Sequence, residues 1–340
     1  MHSGDLRGDE RRIVKSKEAG VQMSSIWSLV ACEPKGEAGT TFVGVLDSTG
    51  QVWRHPALAA YADVTAVLND WSALEPVLRE LRPADGYPAE EARLLAPLPS
   101  PGKLICAGAN YRSHLQEMLG SGEVPAGFEP FFFLLPSTSI IGSDEAITIP
   151  EDASARVDWE AELGVVIGRE AKDVSVEEAL SVVAGYTIVN DISSRGYHRV
   201  ADPLAPPFAF DWLRSKGRDT FTPIGPSVTP SWFIPDPQAL PVQLRRNGVL
   251  EQDGNTLDMI FGVAQLIASA SSIMTLKPGD VLATGTPAGV GAGQGKGEFL
   301  RVGDKLEVAI GPLGTLRNEV HGENGTAGLK PAALNGAARA

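Results

Sequence analysis

The chain has 340 residues, with 29 Lys+Arg against 42 Asp+Glu and a formal net charge of −13. That balance excludes a nucleic-acid partner and docking on an anionic membrane, since both need a basic face. Two cysteines, Cys32 and Cys106, exclude a disulfide scaffold and a Cys-rich zinc module.

Hydrophobic residues make up 43% of the chain, enough for a sizeable core. No apolar run approaches the ~20 residues of a membrane-spanning helix, and the expected compartment is a reduced, cytoplasmic one. The 37 glycines and 25 prolines point to many turns and short strands rather than a helix bundle.

Residues 1–22 are polar and charged and read as a disordered extension. IWSLVACE and TFVGVLDSTGQVWR then read as strands, with a turn at Asp47–Gly50. A helix is expected near Trp71–Leu81. Pro97, Pro99 and Pro101 mark a boundary between a small N-terminal domain over 23–98 and a main domain over 99–320, with a flexible tail over 321–340. In the main domain KLICAGANY reads as a buried strand, and 119–130 as a Gly/Pro-punctuated loop. FFFLLPSTSIIG, AITIP and WEAELGVVIG follow as strands. Ser175 and Glu178 form a capping box that predicts a short helix over SVEEALSVVAG. TIVND is a strand, and a second helix is expected from Asp258, as N-cap, to about Ser271. VLATGT, KLEVAI and GTLRNEV close the domain as strands.

The most informative segment is VDWEAELGVVIG. Residues i and i+2 of a strand share a face, so Glu160 and Glu162 project together while Trp159, Ala161, Leu163, Val165 and Ile167 fill the other face. Two adjacent carboxylates repel, and a divalent cation removes that cost; an exposed, solvated strand face is the ordinary alternative. Asp191 ends the TIVND strand, where a strand–helix–strand excursion can return it beside the pair. Alone it reads as a turn residue or cap. Three carboxylates suit Mg²⁺ or Mn²⁺ better than zinc. His114 and Glu117 sit three residues apart, where one helical turn aligns them as a base and its orienting carboxylate, or leaves them as a surface pair. GVGAGQGKG fails the spacing of a phosphate loop. Cys106 reads as an inert buried thiol.

Taken in order, KLICAGANYRSHLQEM, VDWEAELGVVIG, VAGYTIVNDISSR, LRSKGRDTFTPIGP, NGVLEQDGNTLDMIF, LKPGDVLATGTPAGVG and GTLRNEV resemble the fumarylacetoacetate hydrolase family over roughly 99–320. The resemblance implies a β-rich α+β fold, a roll of mixed sheets with a small N-terminal α/β domain, assembled as a homodimer. It implies Mg²⁺ or Mn²⁺, with Ca²⁺ as a third choice, on Glu160, Glu162 and Asp191. It implies catalytic roles for His114, Glu117 and Lys216, and substrate contacts at Arg195, Thr286 and Tyr111. The implied activity is metal-dependent hydrolysis of a C–C bond in a 2,4-dioxo acid of acylpyruvate type, through a metal-stabilised enolate. Decarboxylation or isomerisation of a related 2-oxo acid on the same site is the alternative, and a non-catalytic ligand-binding protein a further one. Two departures stand out. Many relatives carry a lysine where this chain has Leu135, and Ser193-Ser194-Arg195-Gly196 replaces the usual Ser-Ala-Arg-Asp.

Overall fold

The computed structural model describes residues 26–37, 39–293 and 296–323. The extension expected over 1–22, and all of the expected tail beyond 323, lie outside the described residues.

Among the described residues, alternating apolar strands assemble into two large packed sheets, beside a two-stranded pair of Val157–Asp158 with Ser193–Ser194. The larger has 12 strands, and its central run in spatial order is Trp27–Pro34, Thr222–Pro230, Val183–Asn190, Ala161–Ile167, Val281–Ala283, Leu104–Gly108 and Phe131–Leu135. Most neighbours pair antiparallel, but Val281–Ala283 runs parallel to Leu104–Gly108, so the sheet is mixed. The smaller sheet has five strands, ordered Val249–Asn255, Pro241–Arg246, Lys305–Ile310, Thr315–Gly322 and Ala146–Ile149. This is a β-rich α+β fold.

The two faces of the Ala161–Ile167 strand serve different cores, as the period of two requires. Trp159, Ala161, Leu163, Val165 and Ile167 join Val242, Leu244, Val308 and Leu316 of the smaller sheet in one buried cluster. Val166 points the other way, into a cluster with Leu29, Val45, Trp71, Leu74 and Leu78. Each such side chain contributes about 1.5–3 kcal/mol of transfer free energy. Trp71, Leu74 and Leu78 are the buried stripe of the Trp71–Arg79 helix, which forms where it was expected.

The larger sheet runs through the boundary expected at 97–101, because Trp27–Pro34 hydrogen-bonds to Thr222–Pro230 with Leu29 opposite Val228. Two helix expectations need correction. At SVEEALSVVAG the Ser175–Glu178 bonds do form, but only a short 3-10 turn over Ala179–Val182 follows. β-branched Val183 is taken into the sheet opposite Ile167 instead. The second helix spans Val263–Ile273 with Gly262 at its N-cap. Asp258 lies before it in a 3-10 turn, and its carboxylate accepts from the Ser113 amide at 2.9 Å, so it caps the Arg112–Leu119 helix.

Candidate metal centre

Strand pairing builds the centre. Ala161 lies opposite Asn190 in an antiparallel pair, and the Asp191 amide donates to the Glu160 carbonyl at 2.9 Å. Asp191 therefore returns beside Glu160 through an antiparallel hairpin, not through the strand–helix–strand excursion expected. Glu160, Glu162 and Asp191 are all buried, and one carboxylate oxygen of each lies within 4.8 Å of the others. The exposed-face alternative is thereby removed.

Two cations face this set. Lys216 Nζ donates to Glu160 Oε2 at 2.7 Å and to Asp191 Oδ2 at 2.6 Å. Arg195 donates through Nη2 to Glu160 Oε1 at 2.6 Å and through Nε to Asp158 Oδ2 at 2.9 Å. Burial opposes the charge on Glu160, but Lys216 and Arg195 outweigh it and hold its pKa at about 2. Burial pushes Asp191 up to about 6, with the Glu160 charge adding to the rise against Lys216. Burial, then the charges of Asp191 and Glu160, carry Glu162 well above the ordinary carboxylate range. Four buried carboxylates, with Asp158 counted, thus share two cations, the buried Lys216 and the partly buried Arg195. Asp191 Oδ1 is buried without a hydrogen-bond partner. With all four carboxylates ionised the set would be two negative charges in excess, and that demand, with an orphaned carboxylate oxygen, fits a divalent cation held by hard oxygen ligands.

His114 and Glu117 lie on the Arg112–Leu119 helix, with Nδ1 3.6 Å from Glu117 Oε2. Both Glu117 oxygens accept from the Gly289 amide, at 3.0 and 3.1 Å. Burial raises the Glu117 pKa, but the His114 side chain and the Gly289 N–H prevail and hold it below the ordinary value. Tyr111 caps this helix at its N-terminus; its hydroxyl is fully buried and finds no hydrogen-bond partner.

The residues expected at the substrate sit differently from one another. Arg195 spends its guanidinium on Asp158 and Glu160. The Thr286 hydroxyl donates to the Ala161 carbonyl at 2.9 Å and accepts from Gln252 Nε2 at 2.8 Å. Gln252 Oε1 in turn accepts from the Ala161 amide at 2.9 Å, closing a ring that fixes the backbone between Glu160 and Glu162. Leu135 is buried in the core opposite Leu104 and brings no charge to the site. A Cβ at Gly196 would collide with the Ser154 carbonyl, so the local backbone excludes the aspartate usual in relatives.

Sequence reasoning missed Asp158, Gln252 and Asn190. Asp158 accepts from Arg195 and from the amides of Trp159, Gly291 and Ala292. Asn190 Oδ1 accepts from the Glu160 amide at 3.0 Å. Asp158 was legible, since it continues the alternation of Glu160 and Glu162 two residues earlier. Gln252 was not, because 91 positions separate it from Ala161.

Residues 103–321 match the model of the fumarylacetoacetate (FAA) hydrolase C-terminal family. The chain is 39% identical over 235 residues to the oxaloacetate tautomerase YisK of Bacillus subtilis (strain 168), covering 69% of this chain and 75% of that one. It is 36% identical over 286 residues to a 2,4-didehydro-3-deoxy-L-rhamnonate hydrolase of Sphingomonas sp. (strain SKA58), covering 84% and 94%. Among solved structures, it resembles maleylpyruvate hydrolase from Sphingobium sp. SYK-6, in complex with manganese(II) and pyruvate. That match has a TM-score of 0.68 and 27% identity, over 87% of this chain and 99% of that one. Among the described residues, no helix is long and apolar enough to cross a membrane.

Proposed function

Because the chain belongs to the fumarylacetoacetate hydrolase family, we propose that it hydrolyses the C3–C4 bond of a 2,4-dioxo acid in a reaction that depends on Mg²⁺ or Mn²⁺. The observation that carries this reading is the buried Glu160–Glu162–Asp191 set standing together with a His–Glu pair.

A divalent cation on the three carboxylates would hold the oxo acid through its carboxylate and 2-oxo oxygens and stabilise negative charge developing there. Such a site lets a protein of net charge −13 accept an anion. Lys216 and Arg195 keep Glu160 ionised in a buried place where carboxylates otherwise take up protons. Glu117, fixed on the Gly289 amide, stands 3.6 Å from His114 Nδ1, and closing that gap would orient the ring and leave Nε2 to receive a proton. In the reaction, Nε2 takes a proton from water, and the hydroxide oxygen bonds to the distal carbonyl carbon. The C–C bond on its inner side breaks, leaving its electron pair on the oxo-acid fragment, whose carbon is then protonated. The products are a carboxylate and pyruvate or a close analogue.

A second reading is favoured by the oxaloacetate tautomerase among the relatives: keto–enol interconversion of a 2-oxo dicarboxylic acid on the same site, with His114 moving a proton at carbon. Decarboxylation would use the same contacts. A panel of acylpyruvates and oxaloacetate, assayed with Mn²⁺ and again after chelation, separates the readings. Hydrolysis gives pyruvate and a free acid in step. Cleavage that survives chelation, or turnover of oxaloacetate alone, defeats it.

A further inference from the structure

The glycine-rich run that fails as a phosphate loop seats carboxylates instead. Gly289 offers its amide to Glu117, at 3.0 and 3.1 Å. Two residues on, the Gly291 amide donates to Asp158 Oδ1 at 2.6 Å and the Ala292 amide to Asp158 Oδ2 at 2.9 Å. At Gly293 the nearest atoms to an added Cβ all belong to the Glu117 side chain, and Oε1 would collide with it. The strap over 289–293 thus holds Glu117 at one place and Asp158 at another. Its outer side is pinned at the Gly289 carbonyl, which accepts from Trp159 Nε1 at 3.1 Å and from Lys296 Nζ at 3.0 Å.

Asp158 is fully buried and faces both halves of the site. Its Oδ2 accepts from Arg195 Nε, and Arg195 reaches Glu160 through the other end of its guanidinium. A continuous path therefore runs from Glu160 through Arg195, Asp158 and the strap to Glu117 and His114. Each link as far as Glu117 is a charge-assisted hydrogen bond or a seat on backbone amides, both sensitive to sub-ångström shifts, and His114 Nδ1 lies 3.6 Å beyond it.

We propose that Asp158 is a positioning residue that couples cation binding at Glu160, Glu162 and Asp191 to the seating of Glu117 on the strap. The proposal rests on the cation site of the preceding section. When the cation draws Glu160, Arg195 follows it, Asp158 holds Arg195 and the strap in register, and the Gly289 amide presents itself to Glu117. By linkage the effect is reciprocal: disturbing Glu117's seat must weaken the cation's hold.

The test uses the full chain and Mn²⁺ alone. Mn²⁺ affinity is measured by direct titration, and amide exchange over 286–293 is measured with and without saturating Mn²⁺. In the wild-type protein Mn²⁺ slows exchange at Gly289. Asp158→Asn, which alters no ligand, weakens Mn²⁺ about fivefold or more and removes that slowing even at saturation. A change confined to Arg195 and Glu160 would weaken binding but leave the slowing intact. Gly293→Ala touches neither Asp158 nor a ligand and also weakens Mn²⁺ severalfold. If Asp158→Asn does not fold, Gly293→Ala decides by the same two readouts. Wild-type affinity in Gly293→Ala, or full slowing at Gly289 in Asp158→Asn, overturns the coupling and leaves the cation site standing. A wild-type protein that binds no Mn²⁺ overturns both.

Discussion

The Lys216 ammonium donates to the Glu160 carboxylate at 2.7 Å in a place where neither side chain meets bulk solvent. It reaches Asp191 at the same time, at 2.6 Å. Burial alone would strip the charge from Lys216, yet Asp191 and Glu160 raise its pKa above the ordinary lysine value. The lysine is therefore a charged counter-ion of the ligand set.

Removing that counter-ion exposes what it balances. Lys216→Met leaves buried carboxylates uncompensated and should lower stability without added metal by about 3–5 kcal/mol. Mn²⁺ should then raise the melting temperature by more than it does in the wild-type protein, because the excess negative charge binds a cation more strongly. Thermal melts of both proteins over a Mn²⁺ series check this; equal shifts would contradict it.

His114 and the ligand set should separate in mutants. His114→Ala is expected to keep Mn²⁺ affinity and to lose about 10²–10⁴-fold in kcat, the usual share of general-base help. Glu160→Gln is expected to lose Mn²⁺ binding and activity together. Titration with Mn²⁺ alongside steady-state kinetics distinguishes the two patterns.

The Glu117 seat has a defined pH dependence. Burial works against its charge, but His114 and the Gly289 N–H hold the folded pKa below that of the free carboxyl. Stabilisation from the seat is thus fully present above the ordinary glutamate pKa of about 4.3 and is lost as pH falls through the depressed folded value. Protection of the Gly289 amide, corrected for intrinsic exchange, should decline as pH falls through that depressed value. In Glu117→Gln this decline should be absent.

The ring through Thr286, Gln252 and Ala161 gives a stability prediction. Gln252→Ala orphans the buried Ala161 amide and should cost about 1–3 kcal/mol. Denaturant melts measure it, and a loss below about 0.5 kcal/mol would mean that another group satisfies that amide.

Much of the site was legible because strand alternation is local. The period of two placed Glu160 and Glu162 on one face, and the ordered family motifs supplied Asp191, Lys216, Arg195 and the His–Glu pair. The helix starting at Asp258 was misread because capping preference is weak beside tertiary demand: the Asp258 carboxylate serves Ser113, 145 positions away. SVEEALSVVAG was misread for the same reason, since pairing with Ile167 outweighs the Ser175 cap. Gln252 and the roles of Thr286 and Arg195 depend on contacts between distant segments, which no local pattern encodes.

The central claim is water-assisted C–C cleavage at the cation-loaded site, and isotope labelling tests it most directly. With Mn²⁺ and an acylpyruvate in ¹⁸O-water, the carboxylic acid product should carry at least one ¹⁸O in its new carboxylate, with pyruvate released in equal amount. Release of CO₂, or recovery of the substrate uncleaved as exchanging keto and enol forms, would contradict it.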